Sequence, residues 1–392
     1  MLLRVGSPSI MATMRHESRL GRHRQPAPNA AIRVSPLCLG CMTFGDKQQE
    51  RYGEMTKQAA FDMMDEYYKQ GGNFLDTANG YQLGQSEEWV GEWMRSRNCR
   101  DDIVLATKYS TPWRQEPNAI KSNFVGNNQK SMKLSIEDSL KKLQTTYIDL
   151  FYVHWWDFTT TIPEVMHSLN DLVVAGKVLY LGISDTPAWV VTKANQYARD
   201  HGLRQFSVYQ GMWSAAMRDI ERDIIPMARD EGMALCPYGV LNQGRFQTQE
   251  GFRQREQNKP GRKFIPTSEH DKNVSLHLEK IAKKKGCGLL DIALQYCMQK
   301  TPYVFPIVGG RKLEHIQGNI GSLSVRMEDE DINEVEEGYH FDPGFPHTFL
   351  SGTMFKGADE KPRGADGPED VWLLNGMGPF DWHPRQDTVR PT

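Results

Sequence analysis

Asp76, Tyr81, Lys108 and His154 each stand at or just beyond the apolar core of a short strand-like run. NFLDT carries Asp76, with Tyr81 in the turn beyond; IVLATK ends at Lys108 and IDLFYVH at His154. A carboxylate, a phenol, an ammonium and an imidazole together suit acid-catalysed reduction of a carbonyl. A buried Lys keeps its charge only beside a partner, and Asp76 is that partner if the second and third strands are neighbours. A positive Lys108 close to the Tyr81 hydroxyl would favour phenolate and lower a pKa that is otherwise about 10, making Tyr81 a usable proton donor near neutral pH. His154, as a neutral donor, would hold the carbonyl oxygen beside Tyr81. Hydride would arrive from a nicotinamide on the other face. Taken singly, the Tyr reads as packing, the Asp as a turn cap and the His as a satisfied core polar group; the combination carries the argument. A Lys at a strand end could also form a Schiff base, giving a class I aldolase or similar lyase, although a Lys held charged by a carboxylate is a poor nucleophile.

These four side chains meet only if parallel strands of one sheet deliver them to the same edge, where active sites of α/β folds lie. The chain supplies that alternation. Leu37 to Met42 reads as a first strand. A helix from Thr56 follows, with Ala60, Met63, Met64 and Tyr67 on one face and Gly71-Gly72 as its stop. After the strand to Asp76 come a helix near Ser86 to Ser96, the strand to Lys108, a helix aligning Ile136, Leu140 and Leu143, and the strand to His154. Thr161 and Glu164 make a capping box for the next helix. VLYLGIS and FSVYQ flank a helix in which Pro187 sits early, and a helix from about Arg218 should kink at Pro226 before the strand MALCPYG. A polar stretch from Asn242 to Lys272 interrupts the rhythm, and YVFPIVGG makes an eighth strand. Eight strands with intervening helices fit an α/β (β/α)8 barrel better than an open sheet. No G-x-G-x-x-G follows the first strand, so any dinucleotide is held by something other than a Rossmann phosphate turn.

A chain of 392 residues, 39% hydrophobic and 24% charged, is long enough for one such barrel with additions. We expect a flexible arm over residues 1–30, the barrel over 31–340, and a tail over 341–392. The arm, with Arg15, Arg19, Arg22 and Arg24, could be read as a transit peptide, but a disordered segment is the simpler account. The tail holds Phe345, Phe349, Phe355, Trp372, Phe380 and Trp382 without a regular period, and that much aromatic area is expected to fold back over the barrel mouth. A formal net charge of -2 argues against nucleic acid as a partner, and no apolar stretch approaches a membrane span. The protein is expected in the cytoplasm, with its six cysteines reduced. Cys38 and Cys41 form a C-x-x-C in PLCLGCM, but no second such pair completes a metal site, and no metal is expected. Nothing in the pattern specifies an oligomeric state.

The motifs GGNFLDTANGYQLGQSEEWVG, LSIEDSLKKLQTTYIDLFYVH and PIVGGRKLEHIQGNI resemble the aldo-keto reductases from about Val34 to Gly338. HWWDF, GISDTPAWV and FDPGFPHTFL are similar to the fungal aryl-alcohol dehydrogenase and norsolorinic acid reductase branch. The resemblance implies an NADP(H)-dependent reductase with Asp76, Tyr81, Lys108 and His154 as its catalytic tetrad. It further implies Ser184, Asp185 and Gln210 on the nicotinamide carboxamide and Tyr238 against the ring. Gly309, Arg311 and Lys312 would surround the adenosine 2′-phosphate, with Asn319 on the adenine side. Two cations neutralise a phosphate that NAD lacks, which favours NADP. Asp185 stands where many relatives carry Asn, a charge that must be protonated, solvated or paired. Gly318 replaces a common acidic residue. Phe44, Trp113, Trp155, Trp156 and Trp213 follow successive strands and are expected to line a pocket for an aromatic carbonyl or alcohol substrate. Some relatives act instead as NADP-binding subunits of membrane channels, a reading that predicts cofactor binding with little turnover.

Overall fold

A computed structural model of the chain describes residues 18–114, 116, 118, 120–258, 266–357, 361–378, 381–383 and 386–391. The first part of the expected arm, with Arg15, and Phe380 of the tail lie outside the described residues. Eight parallel strands form the barrel: β1 Cys38–Gly40, β2 Phe74–Asp76, β3 Val104–Tyr109, β4 Ile148–Val153, β5 Val178–Ser184, β6 Phe206–Met212, β7 Ala234–Tyr238 and β8 Ile307–Val308. They pair in chain order, and β8 returns to β1 through Cys38 opposite Ile307. A parallel bridge between Leu235 and Val304 joins β7 to the chain just before β8 and completes the (β/α)8 ring. All six residues of β3 and all six of β4 are buried, as befits strands covered on both faces.

Register explains the first catalytic pairing. Asp76 lies opposite Ala106, and Lys108 is two residues further along β3, so the two side chains share the inner face of neighbouring strands. The first outer helix, α1 Lys57–Lys69, starts where the Thr56 hydroxyl accepts the Ala59 N–H at 3.1 Å, and it buries the expected Ala60, Met63, Met64 and Tyr67. Next come α2 Gln85–Arg97, α3 Gln129–Lys142, α4 Ile162–Val174, α5 Ala188–Asp200 and α6 Ile224–Asp230. They are followed by α7 Gln249–Asn258, α8 Glu269–Lys285, α9 Leu289–Lys300, α10 Leu313–Gly321 and α11 Asp329–Glu337.

Local expectations fail where a tertiary partner or a short element intervenes. Thr161 caps α4, but Glu164 does not complete the box, because its carboxylate accepts the Gln129 N–H of α3 at 3.0 Å. The helix expected to kink at Pro226 is instead a 3-10 turn at Asp219–Glu221 followed by α6. Pro226 falls in the first turn of α6, where a missing N–H has no helical acceptor to lose. From Ser18 onward the expected arm is packed. Arg24 and Val34 form an antiparallel bridge, and Ala27 and Ala30 are buried with the first residues of β2, β3 and β7 (Phe74, Val104 and Ala234). This hairpin seals the N-terminal end of the barrel.

The tail departs from expectation most. None of its described residues lines the cavity at the mouth, and they run down the flank, where Arg222 and Arg229 hold them. Arg222 donates to the carbonyls of Pro343 and Asp342 at 2.9 and 3.1 Å, and Arg229 pairs with Asp366 at 2.5 Å. Further on, Gln386 reaches the Tyr303 hydroxyl at 3.0 Å. Its aromatics meet edge-on, with Phe349 and Phe355 centred 5.6 Å apart and Phe355 and Trp372 5.7 Å, yet Phe345 stays 76% exposed and Phe355 60%. Among the described residues no helix is long and apolar enough to cross a membrane. Cys38 and Cys41 are fully buried free thiols whose ionisation burial pushes well up.

Candidate active site

The strand ends open into a cavity of about 890 Å³ lined by Asp76, Tyr81, His154, Ser184, Asp185, Gln210, Tyr238, Gly309 and Arg311 among others. At its floor the Lys108 ammonium, fully buried, spends its three protons on Asp76 Oδ1 at 2.5 Å, Thr77 O at 2.9 Å and the Tyr81 hydroxyl at 3.3 Å. Burial works against this charge, but the carboxylate and the phenol outweigh burial and hold the ammonium above its usual pKa. The ion pair is thus locked rather than labile.

Tyr81 corrects the electrostatic expectation. Withdrawal from water is the largest influence on its phenol and pushes it up to about 12, even with Lys108 pulling the other way and Asp76 adding to the rise. Desolvation beats the neighbouring cation, so at neutral pH the group is a fully protonated phenol. His154 moves as expected: burial first, and Lys108 second, lower it to about 3, which leaves a neutral ring. Its ring meets that of Tyr81 edge-on with centroids 5.8 Å apart. A protonated phenol and a neutral imidazole side by side can donate two hydrogen bonds to one oxygen.

The groups around this floor fit a nicotinamide dinucleotide. Gln210 Nε2 donates to Asp76 Oδ2 at 3.0 Å, which leaves its carbonyl end for an amide ligand. Asp185 has a left-handed backbone, φ 42°, a conformation Asp tolerates better than most residues. Its carboxylate is paired after all, accepting from the Tyr238 hydroxyl at 3.2 Å, while partial withdrawal from water in the cavity lifts it to about 6. At the far end Arg311 leans against the loop after β1, where a Cβ at Gly53 (φ 81°) would collide with the guanidinium. Asn319 of α10 is buried with its Nδ2 unpaired, a donor whose cost a ligand acceptor would remove. Gly318 leaves open space, and Lys312 is exposed at the start of α10, outside the cavity lining.

The expected aromatic residues lie outside the cavity lining. Phe44 and Trp213 are fully buried, with Trp213 Nε1 donating to Glu221 at 3.0 Å, and Trp156 is 9% exposed in the same core. Trp113 packs edge-on to Phe124, its ring beneath Lys142, and Trp155 Nε1 donates to the Thr111 hydroxyl at 3.1 Å. None of the five lines the cavity, because a residue just past a strand can turn under the loop as easily as into the mouth. The walls are instead Met42, Tyr52, Leu83, Pro112 and Val240. Tyr52 and Thr111 were not marked in the sequence, where short polar loops give no period to read.

A sequence profile described as the Aldo/keto reductase family matches residues 36–339. The chain is 63% identical over 371 residues to norsolorinic acid reductase B of Dothistroma septosporum, covering 94% of each chain. It is 50% identical over 376 residues to an aryl-alcohol dehydrogenase of Pestalotiopsis microspora, covering 96% of this chain and 94% of that one. It is also 45% identical over 386 residues to an aryl-alcohol dehydrogenase of Phanerodontia chrysosporium whose name specifies NADP(+), covering 95% of this chain and 97% of that one.

Proposed function

The chain belongs to the aldo/keto reductase family, oxidoreductases acting on carbonyl and alcohol groups, and from that premise we propose that it uses NADPH to reduce an aromatic ketone or aldehyde in the cytoplasm. A polyketide-derived aryl ketone is the favoured substrate class. The reverse oxidation of an aryl alcohol uses the same groups. The observation that carries the reading is the Lys108 ammonium, locked by Asp76 and in contact with the Tyr81 phenol.

When bound, NADPH would supply the hydride. Ser184, Asp185 and Gln210 would hold its carboxamide and Tyr238 its ring; Gly309, Arg311 and Lys312 would surround the 2′-phosphate, with Asn319 on the adenine side. Tyr81 gives its proton to the carbonyl oxygen as negative charge develops there. Lys108, 3.3 Å away, stabilises the phenolate left behind, so a group with a high resting pKa still transfers its proton at the right moment. His154 fixes the same oxygen by a second hydrogen bond. The apolar side chains of Met42 and Leu83 and the ring of Tyr52 in the lining suit an aryl ring, in keeping with the names of the relatives. A Schiff base at Lys108 is disfavoured, since every ammonium proton is already engaged.

NADPH absorbance, followed over a panel of aryl and alkyl carbonyls, tests this proposal. Turnover should be fastest with aryl ketones or aldehydes. Cofactor binding without turnover of any of them would favour an accessory binding role. Arg311→Ala should weaken NADPH about tenfold more than NADH, roughly the value of one phosphate contact. Equal losses would put the 2′-phosphate elsewhere.

A further inference from the structure

His154 has two ring nitrogens, and only a hydrogen on the cavity side can serve a substrate oxygen. Which nitrogen bears it follows from a short hydrogen-bond chain. Trp155 Nε1 can only donate, and it donates to Thr111 Oγ1 at 3.1 Å. The same Oγ1 lies 3.0 Å from His154 Nδ1. If Nδ1 carried the hydrogen, the threonine oxygen would receive two donors, and its own proton would be left to the cavity, with no other protein acceptor among the described residues. If Nδ1 is bare, each group is satisfied: indole to hydroxyl, hydroxyl to imidazole. The neutral ring then bears its hydrogen on Nε2.

We propose that Thr111, oriented by Trp155, is a positioning residue that sets the Nε2–H tautomer of His154 and so makes that ring a donor to the substrate carbonyl. This rests on the reductase reading for its functional half, but the tautomer itself does not depend on it. Thr111 lines the cavity, and its carbonyl accepts from Asn79 Nδ2 at 3.2 Å, so the hydroxyl is presented from an anchored loop. The backbone N–H of His154 is held in turn by Ser110 Oγ at 3.3 Å. The ring is thereby located from its main chain and from Nδ1, leaving Nε2 as its working end.

The test reads the tautomer and turnover separately. Protein labelled with 15N-histidine gives long-range 15N–1H correlations that distinguish Nδ1–H from Nε2–H, with His154→Gln used to assign the signal. Wild type should show Nε2–H. Thr111→Val, close in shape but without the hydroxyl, should shift His154 toward a mixture. It should lower kcat about tenfold, a fraction of what losing an oxyanion donor costs, while NADPH affinity stays within about twofold. Thr111→Ser should restore both the tautomer and most of the rate. A wild-type spectrum showing Nδ1–H, or an unchanged tautomer in Thr111→Val, overturns the proposal, and the wild-type spectrum decides even if that variant misfolds. If no carbonyl is reduced but the tautomer behaves as stated, the relay stands and the reductase reading falls.

Discussion

The two ends of the barrel are built on opposite terms. The mouth gathers two carboxylates, three phenols, two imidazoles and two guanidiniums around one cavity, with the Lys108 ammonium fully buried at its floor. The sealed end holds an apolar plug of Ala27, Ala30 and Val34 on Phe74, Val104 and Ala234. Burying polar groups costs free energy unless each finds its partner, whereas burying these small apolar ones stabilises by area alone. One end therefore carries reactivity and the other the rigidity that keeps the strand ends in place.

The sharpest way to break this contrast is at the mouth. Tyr81→Phe removes one oxygen and should lower kcat by about 10²–10⁴ while leaving NADPH binding and the melting temperature near wild type. Steady-state kinetics beside cofactor fluorescence titration would check it; wild-type turnover would remove Tyr81 from the chemistry. At the opposite end, Ala27→Leu overfills the plug and should cost about 1–3 kcal/mol in denaturant unfolding, with kcat of the folded fraction unchanged.

A pH experiment sharpens the contrast further. Glu87 of α2 is fully buried and accepts from the Thr107 hydroxyl of β3 at 2.7 Å. Burial, only partly offset by Lys142, lifts its carboxyl to about 7. A folded-state pKa above the unfolded value means that the folded form prefers the protonated acid, so stability should fall as pH rises from about 4.5 through about 7. Glu87→Gln should flatten that slope, gaining roughly 1–3 kcal/mol over wild type at pH 8 and little at pH 4 in paired melts. The smallest effect belongs to the tail: Phe355→Ala, at a ring already 60% exposed, should change stability by no more than about 0.5 kcal/mol.

What could be read from the sequence follows the same division. The meeting of Asp76, Tyr81 and Lys108 was legible because strand ends have a fixed period and parallel register brings Asp76 beside Lys108 with no long-range information. α1 was legible from its cap and one apolar face. The rise in the Tyr81 pKa was not, because burial depends on how several loops close and no residue type records it. The tryptophans misled for a related reason: Trp213 finds Glu221, which draws its indole into the core, and Trp155 finds Thr111, which stands between that indole and the open cavity. The course of the tail is set by Arg222 and Arg229, which look like ordinary surface charges until the chain is folded.

The hairpin from Arg24 to Val34 also fixes where Ser18 sits. Ser18 caps the short turn at Arg19–Gly21, and His23 reaches the Gly71 carbonyl just ahead of β2, on the face away from the cavity. A tether fused directly at Ser18, in a chain shortened to begin there, would leave from the blind side. Molecules immobilised on a bead through that handle would all face outward, their mouths open to the passing solution.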